Sequence, residues 1–267
     1  MYYKKMFPLL IGLTIVSVLL AACGTGQPTP IPTQVPPTAT SVPAPTVTPM
    51  VTVTESVTEW DLVVFGDSRT GMGQWPGMYA DHIENDLDIK VNLHYKHEGG
   101  QDSDALLANL REDDKLRALV REAEVVTVWT GGMRAKSAYT SKGMSCDRLL
   151  DAMNRDLGAI VAEVLALRGT DDTIIHLFED YHFQFEHQKE LGFFEDKKAC
   201  VEGVNAIVHQ VAAEYGTLVV PVYTAFNGPE GDQDPEGYLE DGIHTNATGD
   251  AIIADLLREL GYGDAAQ

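Results

Sequence analysis

Short apolar runs alternate with longer amphipathic segments along most of the chain. The short runs are rich in Val, Ile, Leu and Phe, a pattern typical of strands buried on both faces of a parallel sheet. The longer segments show the apolar spacing of helices with one buried face. The predicted strands are Leu62–Phe65, Ile89–His94, Val125–Trp129, Thr173–Phe178 and Leu218–Val222, and the predicted helices are Pro76–Leu87, Ser103–Glu122 in two pieces, Cys146–Leu167, Lys198–Tyr215 and Ala247–Leu260.

The alternation of strands and helices predicts the fold class. Parallel strands are joined by right-handed crossovers, which place helices on both faces of the sheet. Five strands in this order predict an α/β fold, a flavodoxin-like three-layer sandwich with a five-stranded parallel sheet. Residues 59–263 form the predicted domain, a normal size for one hydrophobic core, and residues 264–267 form a short C-terminal tail.

Residues 1–22 have the pattern of a secretory signal, in which Lys4 and Lys5 precede an apolar run that ends in small residues. The run is too short for a stable membrane span. The sequence Leu20-Ala21-Ala22-Cys23 resembles the bacterial lipobox, which implies cleavage before Cys23 and attachment of lipid to that cysteine. The alternative is an ordinary signal peptide with an incidental cysteine.

Residues 23–58 are rich in Pro, Thr, Val and Ala, with no charge before Glu55. A segment of this composition cannot bury a core and is typical of an extended linker. Several acyl chains on one residue give stable membrane anchoring. The sequence therefore predicts a lipoprotein that is held by Cys23 on the extracytoplasmic face of the cell membrane.

The charge of the chain disfavours one class of partner. The sequence has 19 Lys and Arg against 40 Asp and Glu, and its formal net charge is -21. Nucleic-acid binding depends on neutralising phosphates with basic side chains, so no nucleic-acid partner is predicted. An acidic surface also repels anionic lipid headgroups, which leaves the lipid anchor as the predicted contact with the membrane.

The first candidate for chemistry is a serine that follows the first predicted strand. The apolar run ends at Gly66 and Asp67, and Ser68 comes directly after them. Ligands of parallel sheets bind beyond the carboxyl ends of the strands, so Ser68 has the position of a nucleophile. The alternative is a strand followed by a polar turn, because Gly, Asp and Ser are common turn residues.

The second candidate motif is Asp241-x-x-His244, just before the last predicted helix. A serine hydroxyl is a weak nucleophile at neutral pH and needs a base, and the base needs a carboxylate that orients it. His244 and Asp241 can supply these two groups. Taken alone, an Asp-x-x-His motif is more often a solvated turn or a helix cap, and the pairing with Ser68 is what favours a triad.

With these motifs the sequence resembles the SGNH, or GDSL-type, hydrolases, which carry Gly-Asp-Ser after the first strand and Asp-x-x-His before the last helix. The resemblance covers about Trp60 to Leu260. It implies that Ser68, His244 and Asp241 are catalytic. The stretch Gly100-Gln101-Asp102-Ser103 is similar to the family's glycine block, which implies that the backbone N–H groups of Gly100 and Ser68 form an oxyanion hole.

One block departs from the family it resembles. The family pattern Gly-x-Asn-Asp appears here as Gly131-Gly132-Met133-Arg134, so a methionine stands where an asparagine would donate a third hydrogen bond. A thioether cannot donate a hydrogen bond. Either two backbone donors suffice, or Arg134 completes the oxyanion hole. The alternative for Arg134 is exposure to solvent or an ion pair with an acidic side chain.

Two cysteines remain besides Cys23. Cys146 and Cys200 each lie near the start of a long predicted helix, in a domain predicted to face a compartment where disulfides persist. A Cys146–Cys200 disulfide is therefore favoured over two buried free thiols. Neither cysteine follows a strand in the way a nucleophile would.

The sequence predicts no metal and no cofactor. The segment Glu179 to His187 is rich in acidic, His and aromatic residues, but its spacing matches no zinc signature. It follows the fourth predicted strand on the active-site side. Two interpretations stay open, a substrate-binding wall or lid and a plain packed loop.

These features predict an extracytoplasmic serine hydrolase that cleaves carboxylic esters through an acyl-enzyme. Its substrate would be an acetylated polysaccharide, a lipid ester or a small ester. Two alternatives come from other classes, namely a weakened binding protein for glycan or a cell-envelope partner, and an acyltransferase that passes the acyl group to a sugar. The sequence does not predict the oligomeric state.

Overall fold

The computed structural model of the protein describes residues 58–130, 146–169 and 173–263. Its centre is a five-stranded sheet with all neighbouring strands parallel, in the order β2-β1-β3-β4-β5. The predicted α/β fold with a five-stranded parallel sheet is confirmed. The strands are β1 (Glu59–Gly66), β2 (Lys90–His97), β3 (Val125–Trp129), β4 (Ile174–Phe178) and β5 (Leu218–Val220).

Ten helical elements connect or follow these strands in the described part of the chain. The five helical regions predicted from the sequence are present, and the break within the second comes at Asp113, whose carboxylate accepts from the N–H groups of Lys115 and Leu116. The elements are α1 (Ser68–Met72), α2 (Trp75–Leu87), α3 (Ser103–Glu112), α4 (Asp114–Glu122), α5 (Cys146–Arg168), α6 (Phe185–Leu191), α7 (Phe194–Tyr215), α8 (Val222–Asn227), a 3-10 helix (Pro235–Tyr238) and α9 (Ala247–Glu259).

The sequence missed four short elements, which are α1, α6, α8 and the 3-10 helix. Each is too short to show a helical period of apolar residues. One predicted strand was also too long. β5 ends at Val220, because Pro221 has no N–H for the sheet ladder and α8 begins at the next residue.

The sheet separates two apolar layers. Successive side chains of a strand point to opposite faces, so Val63 and Phe65 pack with α3, α4, α5 and α7, whereas Leu62 and Val64 pack with α2, α8 and α9. Both faces are covered by helices, which explains the continuous apolar runs in the sequence. Chemistry is therefore confined to the rim of the sheet, where the strands end.

The structure joins Cys146, at the start of α5, to Cys200 in α7 by a disulfide, with the two Cα atoms 5.8 Å apart. The bond links two helices that pack on the same face of the sheet. Within residues 58–130, 146–169 and 173–263, no helix has the length and apolar character needed to cross a bilayer. The predicted signal peptide, Cys23, nearly all of the predicted linker and the C-terminal tail lie outside the described residues.

Candidate active site

Ser68 is the first residue of α1, directly beyond the carboxyl end of β1. Asp67 caps this helix, because its carboxylate accepts from the N–H of Arg69 at 3.0 Å. Gly66 is required where the strand turns into the helix. A Cβ at that position would lie 2.1 Å from Thr70 Oγ1 and 2.8 Å from the carbonyl oxygen of Trp129. The turn thus brings Ser68 to the rim of the sheet at half-buried exposure.

His244 and Asp241 lie in the turn that precedes α9. The two ends of this turn pair through an antiparallel bridge between Leu239 and Thr245. Inside it, one oxygen of Asp241 accepts from the N–H groups of Ile243 at 3.0 Å and His244 at 2.8 Å. These local bonds fix the loop as an Asx-type turn.

The structure brings the three predicted catalytic side chains together. His244 Nε2 lies 2.8 Å from Ser68 Oγ, and His244 Nδ1 lies 2.7 Å from the second carboxylate oxygen of Asp241. A carboxylate on Nδ1 holds the proton there, so we assign Nε2 as the acceptor for the serine hydroxyl. Ser68 and His244 are 176 residues apart in the chain, so the fold alone makes this contact.

Asp241 is held as a carboxylate. Partial burial opposes its ionisation, but hydrogen bonds from the backbone N–H and ring of His244 and from the N–H of Ile243 lower the pKa of Asp241 to about 2. The Asp241 side chain is 50% exposed, against 16% for His244. The site therefore has an ionised orienting group at its rim and a more enclosed base.

A buried charge network lies beneath Ser68, and the sequence analysis missed it. Arg69 is only 2% exposed and donates two hydrogen bonds to the Asp67 carboxylate, from Nε at 3.1 Å and from Nη2 at 2.9 Å. Its remaining Nη1 donates to the buried carboxylate of Asp180. The guanidinium also lies 4.6 Å from the centre of the Trp129 ring. The one signal in the sequence was a charged residue directly after a serine that follows a buried strand.

The segment after β4 has features of both interpretations of Glu179 to His187, because its first part is packed and its end lines a cleft. Tyr181, His182 and Phe183 are buried. His182 Nε2 contacts the side-chain oxygen of Gln188, and burial lowers the pKa of the His182 ring to about 4. Within the described residues, no group of three or more His, Cys, Asp or Glu side chains could hold a metal ion. The buried part of this segment is a packed loop, and only its end reaches a cleft.

Gly100 lies in the turn after β2, on the same rim of the sheet as Ser68. The N–H of Glu98 donates to the carbonyl oxygen of Gly66 at 3.3 Å, and the N–H of Gln101 donates to Glu98 at 3.0 Å. Gly100 has φ of 74°, which favours glycine. The turn is thus tied to the last residue of β1. The block that contains Met133 and Arg134 lies outside the described residues.

A cleft of about 220 Å³ adjoins the turn that carries Asp241 and His244. Gly242 forms part of its wall, and residues in or directly next to α6 and the 3-10 helix supply the rest. Three carboxylate side chains line it together with apolar residues, and its described lining contains no Lys or Arg. The lining residues are Gln184, Phe185, Glu186, His187, Asp234, Glu236, Leu239 and Gly242.

Comparisons with known proteins show what this fold is similar to. No protein-family model and no curated protein sequence matches the chain. A lipase from a goat rumen metagenome is 21% identical, with 77% of this chain and 99% of the lipase covered and a TM-score of 0.62. An acetylxylan esterase from Geobacillus stearothermophilus is 19% identical, with 77% and 95% covered and a TM-score of 0.61. An alpha/beta hydrolase from the metagenome of Lake Arreo, Spain, is 19% identical, with 75% and 94% covered and a TM-score of 0.57. At these identities the likeness establishes a shared fold.

Proposed function

We propose that this protein is a serine hydrolase of carboxylic esters, of the SGNH type. The observation that carries the proposal is the chain of hydrogen bonds from Ser68 Oγ through the His244 ring to Asp241, with distances of 2.8 and 2.7 Å. Nucleophile, base and orienting carboxylate then stand in the order that acyl transfer requires. The shared fold with a lipase and an acetylxylan esterase is consistent with this activity.

The reaction follows from the geometry in two halves. Ser68 Oγ attacks the ester carbonyl while its proton passes to His244 Nε2, and the bond to the alcohol breaks as the same proton is given to the leaving oxygen. Water then loses a proton to His244 and attacks the acyl carbonyl, and the bond to Ser68 Oγ breaks as His244 returns that proton to the serine oxygen, which releases the acid. Asp241 stays ionised throughout and stabilises the imidazolium, because its pKa is about 2.

The negative charge on the carbonyl oxygen needs donors that are already in place. We assign the backbone N–H groups of Ser68 and Gly100 to this role, since a hydrogen bond ties the Gly100 turn to the end of β1. With Met133 in the family's asparagine position, the third donor is either absent or supplied by Arg134.

The lining of the cleft beside Gly242 includes neither Ser68 nor His244, so the cleft would hold a part of the substrate next to the ester, and its charge favours an uncharged one. Glu186, Asp234 and Glu236 line it, and carboxylates in a narrow cleft repel anionic esters. An acetyl ester on a neutral polysaccharide fits this electrostatic setting, whereas an anionic lipid does not. We therefore propose acetylated glycans or other small neutral esters as the substrate class.

The proposed location is the extracytoplasmic face of the cell membrane, with lipid on Cys23. The support is the lipobox-like sequence before a Pro-rich linker, together with a Cys146–Cys200 disulfide of the kind that persists outside the cytosol. Intact-mass measurement of protein extracted from membranes tests it, since an unmodified Cys23 contradicts the anchor.

Labelling with a fluorophosphonate probe tests the proposed activity. Wild-type protein should label and hydrolyse p-nitrophenyl acetate, whereas Ser68→Ala and His244→Ala should each lose roughly 10⁴- to 10⁶-fold in kcat, and the double variant should be little worse. Ser103→Ala is the matched control, because this other described serine bonds to Asp156 instead. Unchanged labelling of Ser68→Ala would remove the proposal. An inert wild type would favour a binding protein, and transfer of acetyl to an added sugar faster than to water would identify an acyltransferase.

A further inference from the structure

The two halves of the proposed triad belong to separate parts of the fold. Ser68 begins α1 after β1, whereas His244 lies in the turn before α9. One hydrogen bond of 2.8 Å joins their side chains. Catalysis needs this separation held closely, since a misplacement of about 1 Å can cost roughly 100-fold in rate. The two halves therefore need a fixed support that reaches both.

Asp180 reaches the serine half. Its carboxylate accepts from Arg69 Nη1, and the same guanidinium grips Asp67. Asp67 and Arg69 flank Ser68 on either side, and all three charged side chains are buried. The position of the serine backbone thus depends on a contact with the segment after β4.

Tyr181, the next residue, reaches the histidine half. Its hydroxyl donates to the carbonyl oxygen of Ile243, which lies between Asp241 and His244. The ring is fully buried and packs on Trp129 and Phe226, with centroid distances of 5.9 and 5.1 Å. The hydroxyl is therefore held in place by the core beneath the turn.

Hydrogen bonds from two asparagine side chains also fix the backbone on both sides of Tyr181. The amide of Asn205 accepts from the N–H of Asp180 at 2.7 Å and donates to its carbonyl oxygen at 2.9 Å. The amide of Asn227 does the same for His182, at 2.8 and 2.7 Å. Both asparagines are buried. Such a doubly bonded segment resists local motion, because any shift leaves buried polar groups unsatisfied.

We propose that Asp180 and Tyr181 are positioning residues that set the distance between Ser68 and His244. Together they form a rigid bridge. The Asp180 side chain fixes the turn that carries Ser68, and the Tyr181 side chain fixes the turn that carries His244. This inference rests on the proposed function for its catalytic consequence. The bridge itself is a mechanical link that is measurable without any substrate.

A second link keeps the turn folded when the bridge is cut. Asp250 accepts from the hydroxyl of Thr245 with one oxygen and from the N–H of Gln74 at 2.8 Å with the other. It joins the histidine turn to the loop after α1 on the outer side. Loss of the Tyr181 hydroxyl should therefore loosen the geometry of the site and leave the turn in place.

The test compares Tyr181→Phe with Tyr223→Phe. Tyr223 donates to the carboxylate of Glu202 at 3.1 Å, so the control also loses a tyrosine hydrogen bond but leaves the contact with Ile243 intact. Tyr181→Phe should lower kcat for p-nitrophenyl acetate by about 10- to 100-fold, with KM within about twofold of wild type. It should also speed amide hydrogen exchange in residues 239–246. Tyr223→Phe should change neither quantity.

Asp180→Asn tests the contact with the serine turn, because it keeps the shape of the side chain and removes its charge. Amide exchange should then rise in residues 66–72. Wild-type kcat with unchanged exchange in both bridge variants would overturn the proposal, and so would a loss of kcat without faster exchange. If the wild type hydrolyses no ester and Ser68 does not label, the proposed function fails, and the exchange measurements alone then decide whether the bridge exists.

Discussion

The turn that carries Ser68 and the turn that carries His244 and Asp241 are supported in opposite ways. Beneath Ser68 lie Asp67 and Arg69, which are at most 2% exposed and belong to a charge network inside the core. Asp241, in contrast, is 50% exposed, and backbone N–H groups of its own turn hold it.

This difference separates stability from catalysis. A buried charge network is costly to break, because removing one member leaves the others unpaired in a medium of low dielectric. An exposed turn held by local bonds contributes little to the free energy of unfolding, yet it carries the group that orients the base. Substitutions of the buried charges next to Ser68 should therefore act mainly on folding, and those in the histidine turn mainly on rate.

The sharpest way to isolate the histidine turn is Asp241→Asn. An amide oxygen can still accept from the N–H groups of Ile243 and His244, but its NH₂ group would face His244 Nδ1 and favour the wrong tautomer. We expect a loss of roughly 10³- to 10⁴-fold in kcat on p-nitrophenyl acetate. The midpoint of urea unfolding should move little.

The pH profile supplies the control for that prediction. In the wild type, Asp241 should add no ionisation to the acid side of the log(kcat/KM) profile, because its pKa is about 2. A slope of two between pH 4 and 7, given as rough bounds, would show that Asp241 titrates in this range, and the proposed division of roles would then be wrong.

The opposite effect is expected for Arg69→Met in the serine turn. The change keeps much of the side-chain volume but leaves the carboxylates of Asp67 and Asp180 without their cation. Breaking a buried charge pair in this way typically costs about 3–5 kcal/mol of unfolding free energy. Urea denaturation measures it, and a matched Arg258→Met change, which breaks a pair with Asp86 whose two side chains are 49% and 24% exposed, should cost much less. Equal losses in the two variants would contradict the buried network.

The same contrast explains how much the sequence could predict. Strand periodicity and the two flanking motifs identified the sheet, Ser68, Asp241 and His244, because each rests on local patterns of residues. The links among Arg69, Asp180 and Tyr181 join distant segments, and no local pattern marks which carboxylate a buried arginine will find. The predicted strand Leu218–Val222 was too long for a local reason that was visible in the sequence, because Pro221 has no N–H for the sheet ladder.

Acid should affect the buried core through one histidine, whereas Asp241 in the exposed turn keeps its charge. His176 in β4 is fully buried, neither ring nitrogen has a partner among the described residues, and burial lowers its pKa from 6.5 to about 3. Between these two pH values the unfolded chain therefore binds a proton at His176 that the folded protein does not bind. This difference in proton binding leaves the unfolding free energy unchanged above pH 6.5 and lowers it by about 1.4 kcal/mol for each pH unit as the pH falls toward 3. His176→Phe should reduce the slope of unfolding free energy against pH by one proton in that window, as measured by urea denaturation at several pH values.

Thr127→Val is the matched control, because Thr127 pairs with His176 in the sheet and also has a buried hydroxyl without a partner among the described residues, but does not titrate. It should shift the curve and leave its slope unchanged. An unchanged slope in His176→Phe would mean that His176 does not contribute to the loss of stability in acid.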